Sequence, residues 1–329
     1  NHTINTQNPA TMVYSSPEMS LPTLSGELME EILSVEAAFE SDDVKEACER
    51  LLDGMSKEDQ EIAAQTSYTY WVASITRKEC LSPEVQRRMA LKEVWRHYIG
   101  EGKDHDKALQ SLNGSIEHRK KYKINLLRAC CFTDFPYENE EDAELARNYK
   151  EKVLQDFSKQ TIVLRGRDND DRPIVLARGR MSSGTEVEAF VLARLFITER
   201  AIAAAEVLSR GKNGKIVAIL DYSGYSSRNA PTFAAIKQIV VVLQGKYPER
   251  LKRLVVLEPP FWARSAYNVI YPFLQQDTRE KFMMVTGMEA RRKALSDLVS
   301  LEQISSEILP DGKLTTPTDV QKFVDEVPF

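Results

Sequence analysis

From about residue 160 onward, short runs of apolar and β-branched residues alternate with stretches of helical periodicity. The run 215–221 is apolar without every-other-residue alternation, which is the pattern of a strand covered on both faces of a parallel sheet. Strands joined through helices pair in parallel with right-handed crossovers. The sequence therefore predicts an α/β domain with a mainly parallel sheet of about five strands and helices on one face. The predicted elements are a hairpin of strands 161–164 and 173–176, a helix over 187–210, a strand over 215–221, a helix over 231–244, a strand over 253–257, a helix over 261–274 and a strand over 281–285.

The first part of the chain has a different pattern. Apolar residues recur at helical spacing without convincing strands, and Ser56 with Asp59 has the spacing of a capping box that opens a helix. An all-helical lobe is therefore predicted before the α/β domain. The predicted boundaries are a loose N-terminal leader over 1–25, a helical lobe over 26–130, an acidic linker or helix over 131–159, the α/β domain over 160–310 and a C-terminal tail over 311–329. Within the third of these, the acidic and polar stretch 134–148 is predicted to be a linker.

Composition narrows the class of protein. A net charge of −5 over 329 residues argues against a nucleic-acid binder with a broad basic face. The four cysteines show no CxxC spacing, so neither a zinc ribbon nor a disulfide framework is expected, and a reducing compartment fits. No apolar run is long enough to span a bilayer. We expect a cytoplasmic protein peripheral to membranes, with a processed organellar form left open because the chain begins without methionine.

The α/β half lacks the residues of common catalytic machinery. It contains no histidine, and the patterns GxSxG, GxGxxG and the P-loop are absent, so a Ser–His or Cys–His pair cannot be built within it. Asp221 at a strand end fits a nucleophile or metal ligand, but a turn-capping aspartate before Ser223 is the favoured interpretation. These absences predict a binding protein rather than an enzyme, with no metal or cofactor beyond a bound ligand.

Three blocks in the α/β half, in a fixed order and spacing, resemble the CRAL-TRIO lipid-binding domain. A helical-lobe end over 117–122 and the turn 170–173 fit the same family, and the likeness covers about residues 85–310. The resemblance implies a sheet floor with flanking helices that enclose a lipid pocket, as in phosphatidylinositol transfer proteins. The three blocks are Ile219-Leu220-Asp221-Tyr222-Ser223-Gly224, Tyr247-Pro248-Glu249-Arg250-Leu251, and Glu258-Pro259-Pro260-Phe261 with its helix up to Tyr271-Pro272-Phe273-Leu274 and Lys281-Phe282.

The resemblance also implies site residues. Glu249 and Lys281 match the headgroup positions of the phosphatidylinositol-binding members, and Arg250 lies beside them. A glutamate accepts hydrogen bonds from inositol hydroxyls, and a lysine donates charge-assisted bonds to a phosphodiester. The helix after residue 260 is apolar on most faces, and it matches the family's movable gate helix. The predicted pocket and gate residues are Phe261, Trp262, Ala266, Tyr267, Ile270, Phe273, Leu274, Ile216 and Ala218.

Two positions depart from the family pattern. A further basic contact of the family falls near Glu101, so that charge is lost or supplied by Lys103. The hydroxyl pair of phosphatidylcholine-binding members is replaced by Ile216 and Ala218, which puts phosphatidylcholine recognition of that type in doubt.

The leading hypothesis is therefore a lipid-binding and transfer protein that holds one phospholipid, in the first instance phosphatidylinositol, and exchanges it at a transient membrane surface. One alternative keeps the fold but binds a neutral ligand such as a prenol, tocopherol or retinoid. Another is an assembly subunit with a vestigial pocket, whose protein partner docks on the extra helical region 26–85. An enzyme of the hydrolase or phosphatase kind comes last, and nucleic acid is not an expected partner.

Overall fold

A computed structural model gives the structure of the chain, and it describes residues 24–157, 161–181, 186–226, 232–271 and 279–314. The described chain up to residue 157 contains the predicted helical lobe and, after it, one further helix. Several of its helices begin at a serine whose side chain accepts from a backbone N–H of the first turn, which satisfies one of the unpaired helix-end donors. Ser56 is such a cap, and its Oγ accepts from Asp59 N at 3.1 Å, as the capping-box pattern predicted. The Asp59 carboxylate accepts from the Ser56 hydroxyl at 2.8 Å. The helices are α1 (Gly26–Ser34), α2 (Asp42–Asp53), α3 (Lys57–Ala64), α4 (Tyr68–Thr76), α5 (Pro83–Gly100), α6 (His105–Lys121), α7 (Ile124–Ala129) and α8 (Glu140–Phe157).

Helix α8 corrects part of the sequence analysis. Much of the stretch 134–148 was predicted to be a polar linker, yet the 18 residues Glu140–Phe157 are helical. Ala146, Tyr149 and Val153 recur at three- and four-residue spacing and are buried in a cluster that also contains side chains of the next helix. This narrow apolar stripe is enough to fix an otherwise charged helix to the domain.

The α/β domain contains a five-stranded sheet whose strand order follows the chain, β1-β2-β3-β4-β5. The first two strands form the predicted antiparallel hairpin, and all later neighbours are parallel. Each predicted element is present with shifted ends, although the part of the predicted gate helix over 272–274 lies outside the described residues. The elements are β1 (Ile162–Arg167), β2 (Pro173–Arg178), α9 (Val187–Leu208), β3 (Ile216–Asp221), α10 (Phe233–Lys246), β4 (Leu251–Leu257), α11 (Phe261–Ile270), β5 (Phe282–Val285) and α12 (Met288–Ser296).

Both faces of the sheet are covered, so the expectation of helices on one face is wrong. One face packs into a core with Leu295 of α12 and with Val299, Ile304 and Ile308 of the segment after it. Val217 and Ile219 of the central strand β3 point into this core. The other face packs against α9, where Ile197 and Ala201 share a core with strand residues and with the helical lobe. A parallel sheet needs this two-sided cover to bury its apolar strands.

Helix α9 is the most buried long element of the chain. Most of its 22 residues are buried, including the carboxylates of Glu199 and Glu206. Buried charges persist only with partners, and both carboxylates have them in the helical lobe. None of the described helices is both long and apolar enough to cross a membrane.

Candidate functional site

Three charged side chains meet where β3, β4 and β5 begin. Lys215 lies one residue before β3, Glu249 two residues before β4 and Lys281 one residue before β5. Neighbouring strands of a sheet are about 4.8 Å apart, so residues that precede adjacent parallel strands lie close together. Glu249 Oε1 accepts from Lys281 Nζ at 3.1 Å, and its Oε2 accepts from Lys215 Nζ at 2.8 Å. We call these three residues the charged cluster.

The turn after α10 holds Glu249 in place. Tyr247 is buried and its hydroxyl donates to Glu199 Oε1 at 2.7 Å. On the other side of the turn, α5 ends at Gly100, where an added Cβ would be 3.0 Å from the Cβ of Pro248. Glu249 itself has a φ of +55°, in the left-handed region that glycine favours. A non-glycine residue keeps such a conformation only when its surroundings fix it, and residues of this kind concentrate at functional sites.

The two lysines keep Glu249 ionised. Burial alone would raise the pKa of the Glu249 carboxyl, because a charged carboxylate loses water there. Hydrogen bonds and charge from Lys215, with further charge from Lys281, outweigh burial and hold the pKa below its ordinary value. The cluster therefore contains two ammonium groups and one carboxylate at neutral pH.

Arg250 does not join this cluster, although it is next to Glu249 in sequence. Its side chain is only 4% exposed, and Nη2 donates to Glu93 Oε2 at 3.2 Å in the interface with α5. Burial, and then the neighbouring charge of Arg96, lower the pKa of Arg250 to about 10. Glu249 has left-handed backbone, and its side chain contacts the two lysines whereas that of Arg250 contacts α5. Arg250 therefore bonds to Glu93 of the helical lobe and does not lie beside Lys281.

The carboxylate of Glu199 ties α9, the helical lobe and the Tyr247 turn together. Oε1 accepts from Arg119 Nη1 at 2.9 Å, and Oε2 accepts from Arg128 Nε at 2.6 Å. Burial alone would raise the pKa of Glu199, but the two guanidinium charges and the Tyr247 hydroxyl lower it to about 2. Sequence analysis did not identify this residue, because its partners come from α6, α7 and the end of α10 and only the fold brings them together.

An apolar floor extends across the sheet from the charged cluster. Paired residues of β2 to β5 form two rows on the face that packs against α9. Most of these side chains are half-buried, unlike the fully buried core of the opposite face. We call these two rows the floor. They are Val175, Ala218, Leu254 and Phe282, followed by Ala177, Leu220, Val256 and Met284.

Helix α11 lies over the β5 side of the floor. The ring of Tyr267 is 5.3 Å from that of Phe282, and the ring of Trp262 packs edge-on against Tyr222 at 5.7 Å. Phe261 is 86% exposed, so the structure corrects its assignment to the pocket wall: it faces outward from the start of the helix.

The remaining predicted pocket residues divide into three groups. Ala218 lies on the floor, whereas Ile216 is buried at the start of β3 in the core shared with the helical lobe. Ala266 and Ile270 belong to α11, and their side chains are outside the described set. The positions predicted at Phe273 and Leu274 also lie outside the described residues.

Three further residues of the sequence analysis have a place in the structure. Lys103 lies in the turn after α5, and its role as a further basic contact stays a prediction. Lys215 was the first residue of the strand predicted over 215–221 and was not proposed as a site residue, whereas the structure places it one residue before β3. Asp221 accepts from Ser223 N at 3.0 Å and from Arg180 Nη1 at 3.0 Å, so the turn-capping interpretation is confirmed.

Comparisons with known proteins agree with this fold. Residues 157–308 match the family model described as the CRAL/TRIO domain. A solved structure titled "Crystal structure of Sfh5" superimposes with a TM-score of 0.53 at 16% identity, covering 88% of this chain and 99% of that one. At this identity the match shows the fold alone.

Two curated relatives match at higher identity over shorter stretches. Patellin-4 of Arabidopsis thaliana is 30% identical over 90 residues, which are 26% of this chain and 16% of that protein. The phosphatidylinositol transfer protein PDR17 of Saccharomyces cerevisiae is 29% identical over 150 residues, 43% of this chain and 40% of that protein. The chain thus spans less than half the length of either relative.

Proposed function

We propose that the chain, whose residues 157–308 match the CRAL/TRIO family model, binds one phosphatidylinositol molecule at a time and carries it between membranes. The headgroup binds at the charged cluster, and the acyl chains lie on the floor beneath α11. The reaction is extraction and shielding of a lipid, with no covalent step.

The observation that carries this proposal is the contact between Glu249 and Lys281 at 3.1 Å, at the end of the sheet where β4 and β5 begin. Phe282, the first residue of β5, belongs to the floor, so the polar site lies at the end of the sheet from which the apolar floor extends. An amphiphile needs both, and lipid pockets combine apolar walls with a few placed polar groups. Within the cluster, Glu249 accepts from inositol hydroxyls while the lysines donate to the phosphate. The similarity to PDR17, a phosphatidylinositol transfer protein, supports the choice of this lipid.

We assign α11 the role of the gate. The helix contacts the sheet region through aromatic pairs, Trp262 with Tyr222 and Tyr267 with Phe282. Phe261 at its first position is exposed, and an exposed aromatic ring is suited to enter the interface of a bilayer. Movement of α11 away from the floor would then open the pocket at the membrane surface.

Native mass spectrometry of the protein after incubation with liposomes tests this function. The liposomes contain phosphatidylinositol, phosphatidylcholine and a neutral prenol, and the protein is repurified before measurement. We expect one phosphatidylinositol per chain. A neutral lipid in its place supports the neutral-ligand hypothesis, and no bound lipid supports an assembly role for the helical lobe.

A variant that fills the floor separates pocket binding from surface adsorption. Ala218 is half-buried on the floor, so Ala218→Phe should exclude acyl chains and abolish loading of every lipid. Val241 on α10 is 59% exposed, so Val241→Phe adds a larger side chain outside the pocket and should load normally. Equal loading by both variants would contradict the floor as the acyl site.

A further inference from the structure

The second cation of the charged cluster is Lys215, where the sequence predicted Arg250. Glu249 and Lys281 alone are a neutral pair, because the carboxylate cancels the ammonium group. A neutral pair orients hydroxyls but exerts little net attraction on an anion. Lys215 adds a second ammonium at 2.8 Å from Glu249 Oε2, so the three groups together have a net charge of +1.

The depths of the three side chains favour approach of an anion. Glu249 is 12% exposed, whereas Lys281 is 20% and Lys215 33% exposed. The carboxylate is therefore the deepest member, and both ammonium groups are nearer to the solvent from which a headgroup arrives. A phosphodiester then meets the two cations before it meets the anion.

Lys215 is also held by its neighbours, unlike an ordinary surface lysine. Its backbone N–H donates to Asn213 Oδ1 at 2.9 Å. Gly214, immediately before it, lies so close to Arg250 that an added Cβ would be 2.6 Å from Nη1 of that side chain. The backbone at Lys215 is thus fixed before any ligand binds, which reduces the entropy lost on binding.

We propose that Lys215 is a specificity-determining residue that makes the site prefer singly anionic inositol phospholipids over zwitterionic phosphatidylcholine. This inference rests on the proposed function. A phosphodiester with one negative charge neutralises the net charge of the cluster. A zwitterionic headgroup would instead bring a quaternary ammonium into a site that is already positive, so it is rejected.

Competitive loading from vesicles with equimolar phosphatidylinositol and phosphatidylcholine tests the proposal. The measured quantity is the ratio of the two lipids bound, read by mass spectrometry. For Lys215→Gln we expect the ratio to fall about tenfold, as for loss of a charge-assisted hydrogen bond. Lys215→Arg keeps the charge and should restore most of the ratio. Lys212 is exposed and only three positions away, so Lys212→Gln makes the same change in net charge and should leave the ratio unchanged.

The outcomes separate the two proposals. If wild type loads phosphatidylinositol and Lys215→Gln keeps the wild-type ratio, the role of Lys215 is wrong while the proposed function stands. An equal fall for Lys212→Gln would show a general surface-charge effect and would also overturn it. If wild type takes up no phosphatidylinositol, the proposed function itself fails, and the role of Lys215 fails with it. Melting temperatures of all variants are recorded, and a merely structural role would lower that of Lys215→Gln without changing the ratio.

Discussion

The hydroxyl of Tyr247 donates to Glu199 Oε1 at 2.7 Å across 48 positions of sequence. This bond joins the turn that presents Glu249 to the buried centre of α9. The same carboxylate is held by Arg119 and Arg128 of the helical lobe. The orientation of the proposed headgroup site therefore depends on a buried ionic network.

The first prediction concerns the two headgroup residues. Lys281→Ala should lower phosphatidylinositol loading about ten- to a hundredfold, because a partly desolvated phosphate loses a charge-assisted hydrogen bond. Glu249→Ala should act in the same direction, since the ring hydroxyls lose their acceptor. Lipid loading from mixed liposomes measures both. Lys293, exposed on α12, supplies the control Lys293→Ala, and equal loading by all three variants would refute the assignment.

The second prediction concerns the left-handed backbone at Glu249. Glu249→Gly and Glu249→Ala remove the same carboxylate, but only glycine relieves the cost of a φ of +55°. The glycine variant should be more stable than the alanine variant by about 1 kcal/mol, while both lose phosphatidylinositol equally. Urea denaturation and lipid loading measure these two effects. Alanine as stable as glycine would mean that the turn is not strained.

The third prediction concerns the Glu199 network. Glu199→Gln leaves Arg119 and Arg128 buried without a compensating charge, so it should destabilise the fold by about 3–5 kcal/mol. Tyr247→Phe removes only one hydrogen bond to the carboxylate and should cost about 1.5–3 kcal/mol. Denaturant melts measure both values. Glu151 is exposed on α8, and Glu151→Gln should stay within about 0.5 kcal/mol of wild type. A Glu199→Gln effect as small as this control would contradict the network's role.

The fourth prediction concerns acid. The folded-state pKa of Glu199 is about 2, against an ordinary value of 4.5. Its contribution to stability is thus complete above pH 4.5 and is lost as the pH falls toward 2, because the unfolded chain binds the proton first. The loss amounts to about 3 kcal/mol. Denaturant melts across this interval should show the decline in wild type and a shallower one in Glu199→Gln. Parallel declines would assign acid sensitivity to other carboxylates.

The fifth prediction concerns the gate. If α11 lifts from the floor at a membrane, backbone amides of Phe261–Ile270 should exchange hydrogen faster when liposomes are added. Amides of Leu251–Leu257 in the adjacent strand should keep their rate and serve as the internal control. Hydrogen exchange followed by mass spectrometry gives both rates. Transfer activity with unchanged exchange in α11 would reject the gating role.

The order of strands and helices in the α/β half could be predicted because burial determines its pattern. The sequence of β3 is apolar without alternation between apolar and polar residues, as expected for a strand that is covered on both faces. The structure has this strand at Ile216–Asp221. Helix α8 was partly missed because its buried stripe of Ala146, Tyr149 and Val153 stands among many charges. A narrow stripe of this kind is visible only once its packing partner is known.

The charged cluster was predictable only in part. The family resemblance selected Glu249 and Lys281, and the structure brings them into contact. Lys215 was missed because a lysine before a strand is unremarkable until the neighbouring strands are known. Arg250 was included because it is adjacent in sequence, but its side chain donates to Glu93 of the helical lobe. Local sequence identifies candidates, whereas strand order decides which of them meet.

The strands of the sheet lie side by side in the same order as they occur in the chain, and this order affects how the sheet forms during synthesis. Because each strand pairs with the one before it, synthesis from the N-terminus adds strands at one growing edge, and none must insert between two others. The last strand, β5, has only four residues and lies at that edge, and it positions Lys281. A nascent chain therefore receives Lys281 together with the last two floor residues, Phe282 and Met284, when the sheet is completed. In the mature protein, fraying of this short edge strand should separate Lys281 from Glu249 at a lower free energy than global unfolding, so the charged cluster should open while the rest of the sheet stays folded.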